Sequence, residues 1–421
     1  MNQLTPLKSK HRRQLASLGL SLGVALTQTA GFALRADDGT KLDKLEQENK
    51  ELKKRLDTLE SVAKAEGILP DDTKASAPLL TRIAGTKIEG FVTGSYFYDT
   101  STPPGQVSPG YLWNRKSGNF SLNKVKLTLA SPPAEHSGDN WSAGYRVSLM
   151  FGQDAPIVNS GSGIVGFSSI REAYVELNAP VGTGLNIKVG ELISLLNYES
   201  GDGGAANDNF SQGYQWFYTG NGPAAGVQLG YSFTDWLDVK ARVQNGLYAG
   251  PVDNNQAKTF MGAIGIKPSS STWLSFVGST GREGGPSSGI HVASLLGGWS
   301  VTEKFHLGTE LDYFWFETPG GTAPVWSTGG FASYSFNSMF GLAVRGEFLS
   351  DARGVDASAD PLAFKANTGN DLASIAVTLN IKPVPNVKIQ PEVRFDHSSL
   401  PGAFGTHADR VILGVGVSYL F

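Results

Sequence analysis

ADRVILGVGVSYLF, residues 408–421, reads as a strand that runs to a terminal aromatic, Phe421. Val411, Leu413, Val415, Val417, Tyr419 and Phe421 fall on one parity, and Gly414, Gly416 and Ser418 on the other. Period two with one apolar face is the signature of a strand greasy on one side only. A soluble domain seldom ends so, without a polar tail. A transmembrane β-barrel does, because its last strand pairs with its first and leaves no open edge in lipid. An interior strand of a soluble sandwich gives the same local pattern, so the rest of the chain must decide.

The N-terminal stretch points to export. Lys8, Lys10, Arg12 and Arg13 precede a short apolar core, Leu15 to Leu26, and then GFALRA, with small residues suited to cleavage at Ala33 or Ala36. This reads as a signal peptide over 1–36, since the apolar core is too short to span a bilayer. The residues around Arg12-Arg13 suit general secretion better than twin-arginine export, and a barrel must cross the inner membrane unfolded. No other apolar run approaches the roughly 20 residues of a membrane helix. Losing five basic and no acidic residues with that segment takes the formal charge from −3 to −8, which argues against nucleic-acid binding. With no cysteine there is no disulfide framework or thiolate site. Charged residues make up 17%, below the roughly 25% of soluble domains, and suit a surface that faces lipid.

The chain then changes character twice. In KLDKLEQENKELKKRLDTLESVAK (41–64), Leu42, Leu45, Asn49, Leu52, Leu56, Leu59 and Ala63 occupy alternating a and d positions of a short coiled coil within 37–65. A buried Asn49 would set register and oligomer state; a solvated single helix is the plainer alternative. Residues 66–85, with Gly67, Pro70 and Pro78, read as a linker. From 86 to 421 the pattern predicts sixteen strands, near 86–98, 119–130, 141–152, 168–178, 184–193, 223–233, 236–247, 257–267, 272–280, 290–301, 304–317, 323–335, 338–350, 371–382, 386–397 and 408–421. Most are longer than the 5–6 residues typical of soluble strands and match the roughly 9–11 of tilted membrane strands. Short connections alternate with long ones, as periplasmic turns alternate with outer loops. Two depart from this: 318–322 is short for an outer loop, and 131–140 is long for a turn. Trp141, Trp236, Trp273 and Trp299 lie beside predicted turns, and Trp315 and Trp326 flank an outer loop, where indole rings favour the membrane interface. The predicted fold class is all-β: a transmembrane antiparallel up-and-down barrel of about sixteen strands, after a short coiled-coil helix.

Parity also assigns charges to the water side. Lys124, Lys126, Arg146, Glu172, Glu176, Lys188, Lys240, Arg242, Glu310, Asp312, Arg345, Glu347, Lys388, Glu392 and Arg394 all oppose an apolar outward face, as does His306. Arg or Lys at the lipid midplane costs about 2–4 kcal/mol, so this parity is expected to line a pore. Sixteen strands enclose an aqueous channel rather than a filled core. The longest connection, 194–222, carries Glu199, Asp202 and Asp208 with Trp216, Phe217 and Tyr218, and is expected to fold inward as a constriction, with an ordinary surface loop as the plainer alternative. A basic wall of Lys124, Lys126, Arg146, Lys188, Lys240 and Arg242 opposite that acidic loop would set up a transverse field, the means by which pores select ions, but Glu172, Glu176, Glu310 and Asp312 also face inward, so the pattern assigns no ion preference. The inward Gly414, Gly416 and Ser418 are small enough to leave room for water beside the closing seam.

Enzyme chemistry finds no footing. Gly161–Gly166 matches GxGxxG but lies in a loop before a strand, without the following helix a dinucleotide needs. The histidines, His11, His136, His291, His306, His397 and His407, form no metal pair or nucleophile set, and no Ser–His–acid constellation falls on neighbouring strands. No cofactor is expected. Acidic stretches such as Asp202–Asp208 do not match the calcium-loop spacing of EF-hands.

Four stretches carry a family likeness: TKIEGFVTGSYFYDTS at 86–101, NFSLNKVKLTLASPP at 119–133, REAYVELNAPVGTGLNIKVGEL at 171–192, and VKARVQNGL at 239–247 with Asp253-Asn254-Asn255 after it. Together they resemble the OmpL-like β-barrel porin-2 group of Gram-negative bacteria. The resemblance implies an outer-membrane barrel of channel function and supplies no catalytic or binding residues. The terminal strand also resembles the closing strand of outer-membrane proteins, in which the final aromatic, here Phe421, is read by the barrel insertion machinery. The expectation is therefore a porin in outer-membrane lipid, passing small hydrophilic solutes, assembled as a homotrimer, with its N-terminal helix in the periplasm. The rival is a plugged structural or adhesive barrel whose outer loops bind a partner.

Overall fold

The structure is a computed structural model that describes residues 85–421 apart from 112–114, 135–139, 160–166, 248–252, 254, 284–287 and 355–368, together with scattered positions of an N-terminal helix. That helix includes Lys50, Glu51, Lys53, Lys54, Arg55, Thr58 and Ser61, and Arg55 pairs with Glu51 one turn away at 3.0 Å. The apolar stripe Leu42, Leu45, Asn49, Leu52, Leu56 and Leu59 lies outside the described residues.

Thr86–Phe421 forms one compact unit. Its strands are β1 (Lys87–Asp99), β2 (Asn119–Ser131), β3 (Ser142–Phe151), β4 (Ile170–Ala179), β5 (Leu185–Leu192), β6 (Ala224–Thr234), β7 (Leu237–Gln244), β8 (Thr259–Ser269), β9 (Thr272–Arg282), β10 (Gly289–Ser300), β11 (Phe305–Thr318), β12 (Gly321–Ser335), β13 (Phe340–Asp351), β14 (Asn370–Ile381), β15 (Val387–Ser398) and β16 (Asp409–Leu420). Each pairs antiparallel with its sequence neighbours, and β16 pairs with β1, so the sheet closes without an edge. At the seam Phe91 lies opposite Leu420 and Ser95 opposite Gly416, while Gly90 and Phe421 exchange two backbone hydrogen bonds of 2.9 and 3.0 Å. Closure satisfies every rank of strand N–H and C=O groups, which a lipid-facing sheet requires.

The outer surface carries the apolar parity. Val175, Val227, Leu229, Val243, Phe276, Leu311, Ile375, Val393, Leu413 and Val417 are all exposed there. The interior differs from a simple water-filled lumen. Met261, Val277, Val292, Phe314, Val325, Leu349 and Leu372 point inward from β8–β14 and are buried against Leu196, Tyr214 and Tyr218 of the 194–222 loop. Composition and period two could not separate this inner apolar patch from an outer one, because both lie on strands and only the loop's position tells them apart.

Candidate functional site

The 194–222 loop supplies the central feature. It contains a 3-10 turn at Gly203–Ala205 and a short helix, α1 (Tyr214–Tyr218), and its remaining backbone is irregular. Irregular backbone buried away from water needs hydrogen-bond partners, and strand carboxylates provide them. Glu310 accepts the N–H of Tyr198 at 2.9 Å, Glu392 those of Phe210 at 2.8 Å and Ser211 at 3.2 Å, and Glu347 that of Gln215 at 3.0 Å. Asp312 accepts from Gln215 Nε2 and Thr219 Oγ1, each at 2.9 Å. The cations do the converse. Arg345 donates to Glu199 at 2.8 Å and to the Ser211 carbonyl, Arg394 to the Gln212 carbonyl at 2.7 Å, and Lys388 to the Asn207 carbonyl. Lys126 reaches Asp202 at 2.6 Å from β2. The loop is thereby fixed inside the barrel against β2 and the β11–β15 wall.

The charges assigned by parity thus fall into two groups. Lys126, Glu310, Asp312, Arg345, Glu347, Lys388, Glu392 and Arg394 hold the loop, while Lys124 pairs with Asp154 of the preceding outer loop at 3.0 Å. The others face the interior away from those contacts. Arg146 bonds Glu172 at 2.6 Å and approaches Glu89 at 3.3 Å; Lys188 lies 3.5 Å from Glu176; Lys240 lies 3.4 Å from Asp238. Arg242 is buried among Gln228, Gln244 and the Ile193 carbonyl. The inward acids compensate the basic wall locally: most of its side chains have an acidic partner within 4 Å, and Glu199 and Asp202 are each spent on a strand cation. Of the loop acids, Asp208 is exposed.

Two further features depart from expectation. The inward Gly416 does not leave room for water: a Cβ there would lie 2.0 Å from the Phe210 ring, so the glycine makes space for the loop tip. A network of Arg394, Asp396, Arg410 and Asp99 was not anticipated. Arg394 bonds Asp396 at 2.6 Å, and Arg410 bridges Asp396 at 2.8 Å and Asp99 at 3.3 Å. The Arg394 guanidinium sits 4.8 Å from the Tyr214 ring centre and that of Arg410 4.2 Å from Phe404. Parity extended by one step along β15 and by two along β16 would have flagged Asp396 and Arg410.

Burial pushes the Glu199 carboxyl above its ordinary value near 4.5, against the opposing pull of Arg345. A carboxyl with a raised pKa in the docked state binds its proton more tightly there. Docking is then strongest below the ordinary value and weakens as pH rises through the raised one, by up to about tenfold per pH unit in that window. Single-channel current is expected to be steadier in acid than at neutral pH, with Glu199→Gln flattening the profile. A Glu199→Gln channel with an unchanged pH profile would refute the assignment to this group.

A closed sixteen-stranded barrel with a long loop anchored inside defines the porin type of outer-membrane protein. The chain belongs to the family described as "Putative beta-barrel porin-2, OmpL-like", whose model matches residues 85–421. The fold is similar to an anion-selective porin from Comamonas acidovorans (TM-score 0.52, 10% identity, covering 80% of this chain and 99% of that one). It is similar to OmpT of Vibrio cholerae in its trimer form (TM-score 0.53, 10% identity, 80% and 99%). It is also similar to the outer-membrane channel DcaP of Acinetobacter baumannii (TM-score 0.51, 13% identity, 80% and 97%). At such identities the likeness concerns the fold. No curated protein matches the chain in sequence.

Proposed function

We propose that the protein is a passive porin that lets small hydrophilic solutes and ions diffuse across the outer membrane. One observation carries this reading. Beside the docked loop, Arg146, Lys188, Lys240, Glu176 and Asp238 keep side-chain exposures of 17–43% inside a closed barrel. Charges held half-hydrated on the inner wall suit a water-filled passage and would be costly in a dry core. In this reading the parity-assigned charges line or brace the passage, and the 194–222 loop, with Glu199, Asp202 and Asp208, narrows it. The chain assembles as a trimer, with 41–64 as a periplasmic coiled coil, and Phe421 serves as the insertion signal. The trimer form recorded for V. cholerae OmpT supports the assembly by fold likeness.

Reconstitution into a planar bilayer is expected to give discrete, stable conductance steps, and the reversal potential in a salt gradient reads the ion preference. A folded, heat-modifiable barrel that never conducts would sink the porin reading. It would favour the plugged, adhesive alternative, for which the apolar packing between loop and wall is the supporting observation.

A further inference from the structure

We infer that the interior carries a sugar-binding subsite, built on an aromatic strip where the 194–222 loop meets β9–β12; this rests on the porin reading. Strand register places Trp273, Gly298, Gly308 and Phe331 side by side on β9, β10, β11 and β12. All four share the inward parity of their strands, with Val277, Leu296, Glu310 and Ser327. Trp273 therefore turns its ring to the interior rather than to the membrane interface. The two central positions have no side chain, and rings lie in the space. The Trp273 indole passes 2.3 Å from where a Gly298 Cβ would stand, and the Tyr198 ring 2.2 Å from that of Gly308. Tyr198 is near-parallel to Trp273, with ring centres 6.0 Å apart and 9° between planes, and stacks on Phe331 at 4.4 Å. Three aromatic residues thus form a strip along the inner wall.

The strip borders a cavity of about 250 Å³, next to a recess of about 610 Å³. Asp208, His306 and Ser333 line both. Together the two volumes fall in the range of small-ligand sites, about 300–1,000 Å³. Among the described residues the Asp208 carboxylate, His306 Nε2 and Ser333 Oγ make no hydrogen bond, while His306 Nδ1 is held by Ser300 Oγ at 3.0 Å. The rim therefore offers a charged acceptor, an imidazole nitrogen and a hydroxyl beside an aromatic surface.

A pyranose matches both parts. Its C–H face packs on the electron-rich faces of aromatic rings, and its ring of hydroxyls replaces the water lost by the three rim groups. A flat apolar solute would cover the strip and leave those groups dehydrated, a penalty of the order of a lost hydrogen bond each. An open-chain polyol would satisfy the rim but offers no rigid face to the strip.

Maltose is the probe. With the full chain in detergent, calorimetric titration should show saturable maltose binding and at least tenfold weaker binding of sorbitol. Trp273→Ala should weaken maltose binding at least tenfold, Asp208→Ala should weaken it as well, and Trp273→Phe should retain most of it. Trp326→Ala, which alters a ring on the outer face, should leave it unchanged. In bilayers, maltose should reduce the ionic current saturably in the unaltered chain and not in Trp273→Ala. Non-saturating maltose titration, equal binding of sorbitol, or an unaffected Trp273→Ala variant that still migrates as a folded barrel would each overturn the subsite. A chain that binds maltose but never conducts would retain the subsite and overturn the porin reading instead.

Discussion

Replacing Arg345 by alanine is expected to release the 194–222 loop from the wall and to raise single-channel conductance together with open-channel noise. Arg345 is fully buried, donates to Glu199 at 2.8 Å and to the Ser211 carbonyl, and lies 3.5 Å from Glu347. Its removal strands two carboxylates in a water-poor site. Breaking a buried pair in this way typically costs about 3–5 kcal/mol, because the remaining charge keeps its desolvation penalty and loses its partner. The hydrogen bonds from loop amides to Glu392 and Glu347 stay in place and limit the effect on the barrel itself. The loop should therefore loosen while the barrel stays folded. Limited proteolysis within 194–222, together with conductance, measures this. A variant whose loop is as protected as the parent's, at unchanged conductance, would show that the ion pair does not hold the loop. Adding Glu199→Gln to the Arg345 variant should recover part of the loss, since a neutral amide leaves no stranded charge at that position, and contacting residues are expected to be non-additive.

The second large effect concerns the seam. Gly90→Val should lower the yield of folded barrel severely, or lower the temperature at which heat converts the folded to the unfolded form on a denaturing gel. A Cβ at Gly90 would stand 2.2 Å from the Lys126 carbonyl oxygen of β2 and 2.7 Å from the Phe421 ring. The first contact is with backbone and cannot be relieved by rotating a side chain, so β1 must shift from β2 or from β16. Either shift disturbs the two backbone hydrogen bonds between Gly90 and Phe421. An open edge in hydrocarbon leaves N–H and C=O groups unsatisfied at several kcal/mol each, so a local clash at the closing position spreads along the seam. Gly330→Val on β12, where a Cβ would meet nothing within 4 Å, is the matched control and should fold normally. Equal melting of the Gly90 and Gly330 variants would refute the argument.

Most of the barrel was legible in the chain because strand period and strand length recur over sixteen strands and agree with an alternation of short and long connections that only 131–140 and 318–322 break. Strand ends differ from expectation by only a few residues, for example 386–397 against Val387–Ser398. The exceptions have local causes. Between Thr93 and Gly94 the β1–β2 register slips, and Asn123 and Lys124 are both buried, so one residue of β2 breaks the alternation. Arg171 sits at a similar irregularity between β3 and β4, where it donates to the Val158 carbonyl at 2.9 Å.

The interior was legible only as a parity. Alternation states which side of the sheet a residue faces, and it did so for Arg345, Glu392 and Lys388. It carries no information on what occupies the other side of that face. Glu392 reads the same whether it meets water or, as here, two loop amides, and Trp273 reads as an interface residue until the strand register sets it beside Gly298. The ADRVILGVGVSYLF strand shows the division plainly. Its sequence alone determines an outward apolar row from Val411 to Tyr419 and a small inward one, because period two is a property of the strand itself. Only the tertiary structure decides that the space over Gly416 belongs to Phe210. That contact depends on a loop more than 190 residues away in the chain, held there by buried charges on four other strands, β2, β11, β13 and β15.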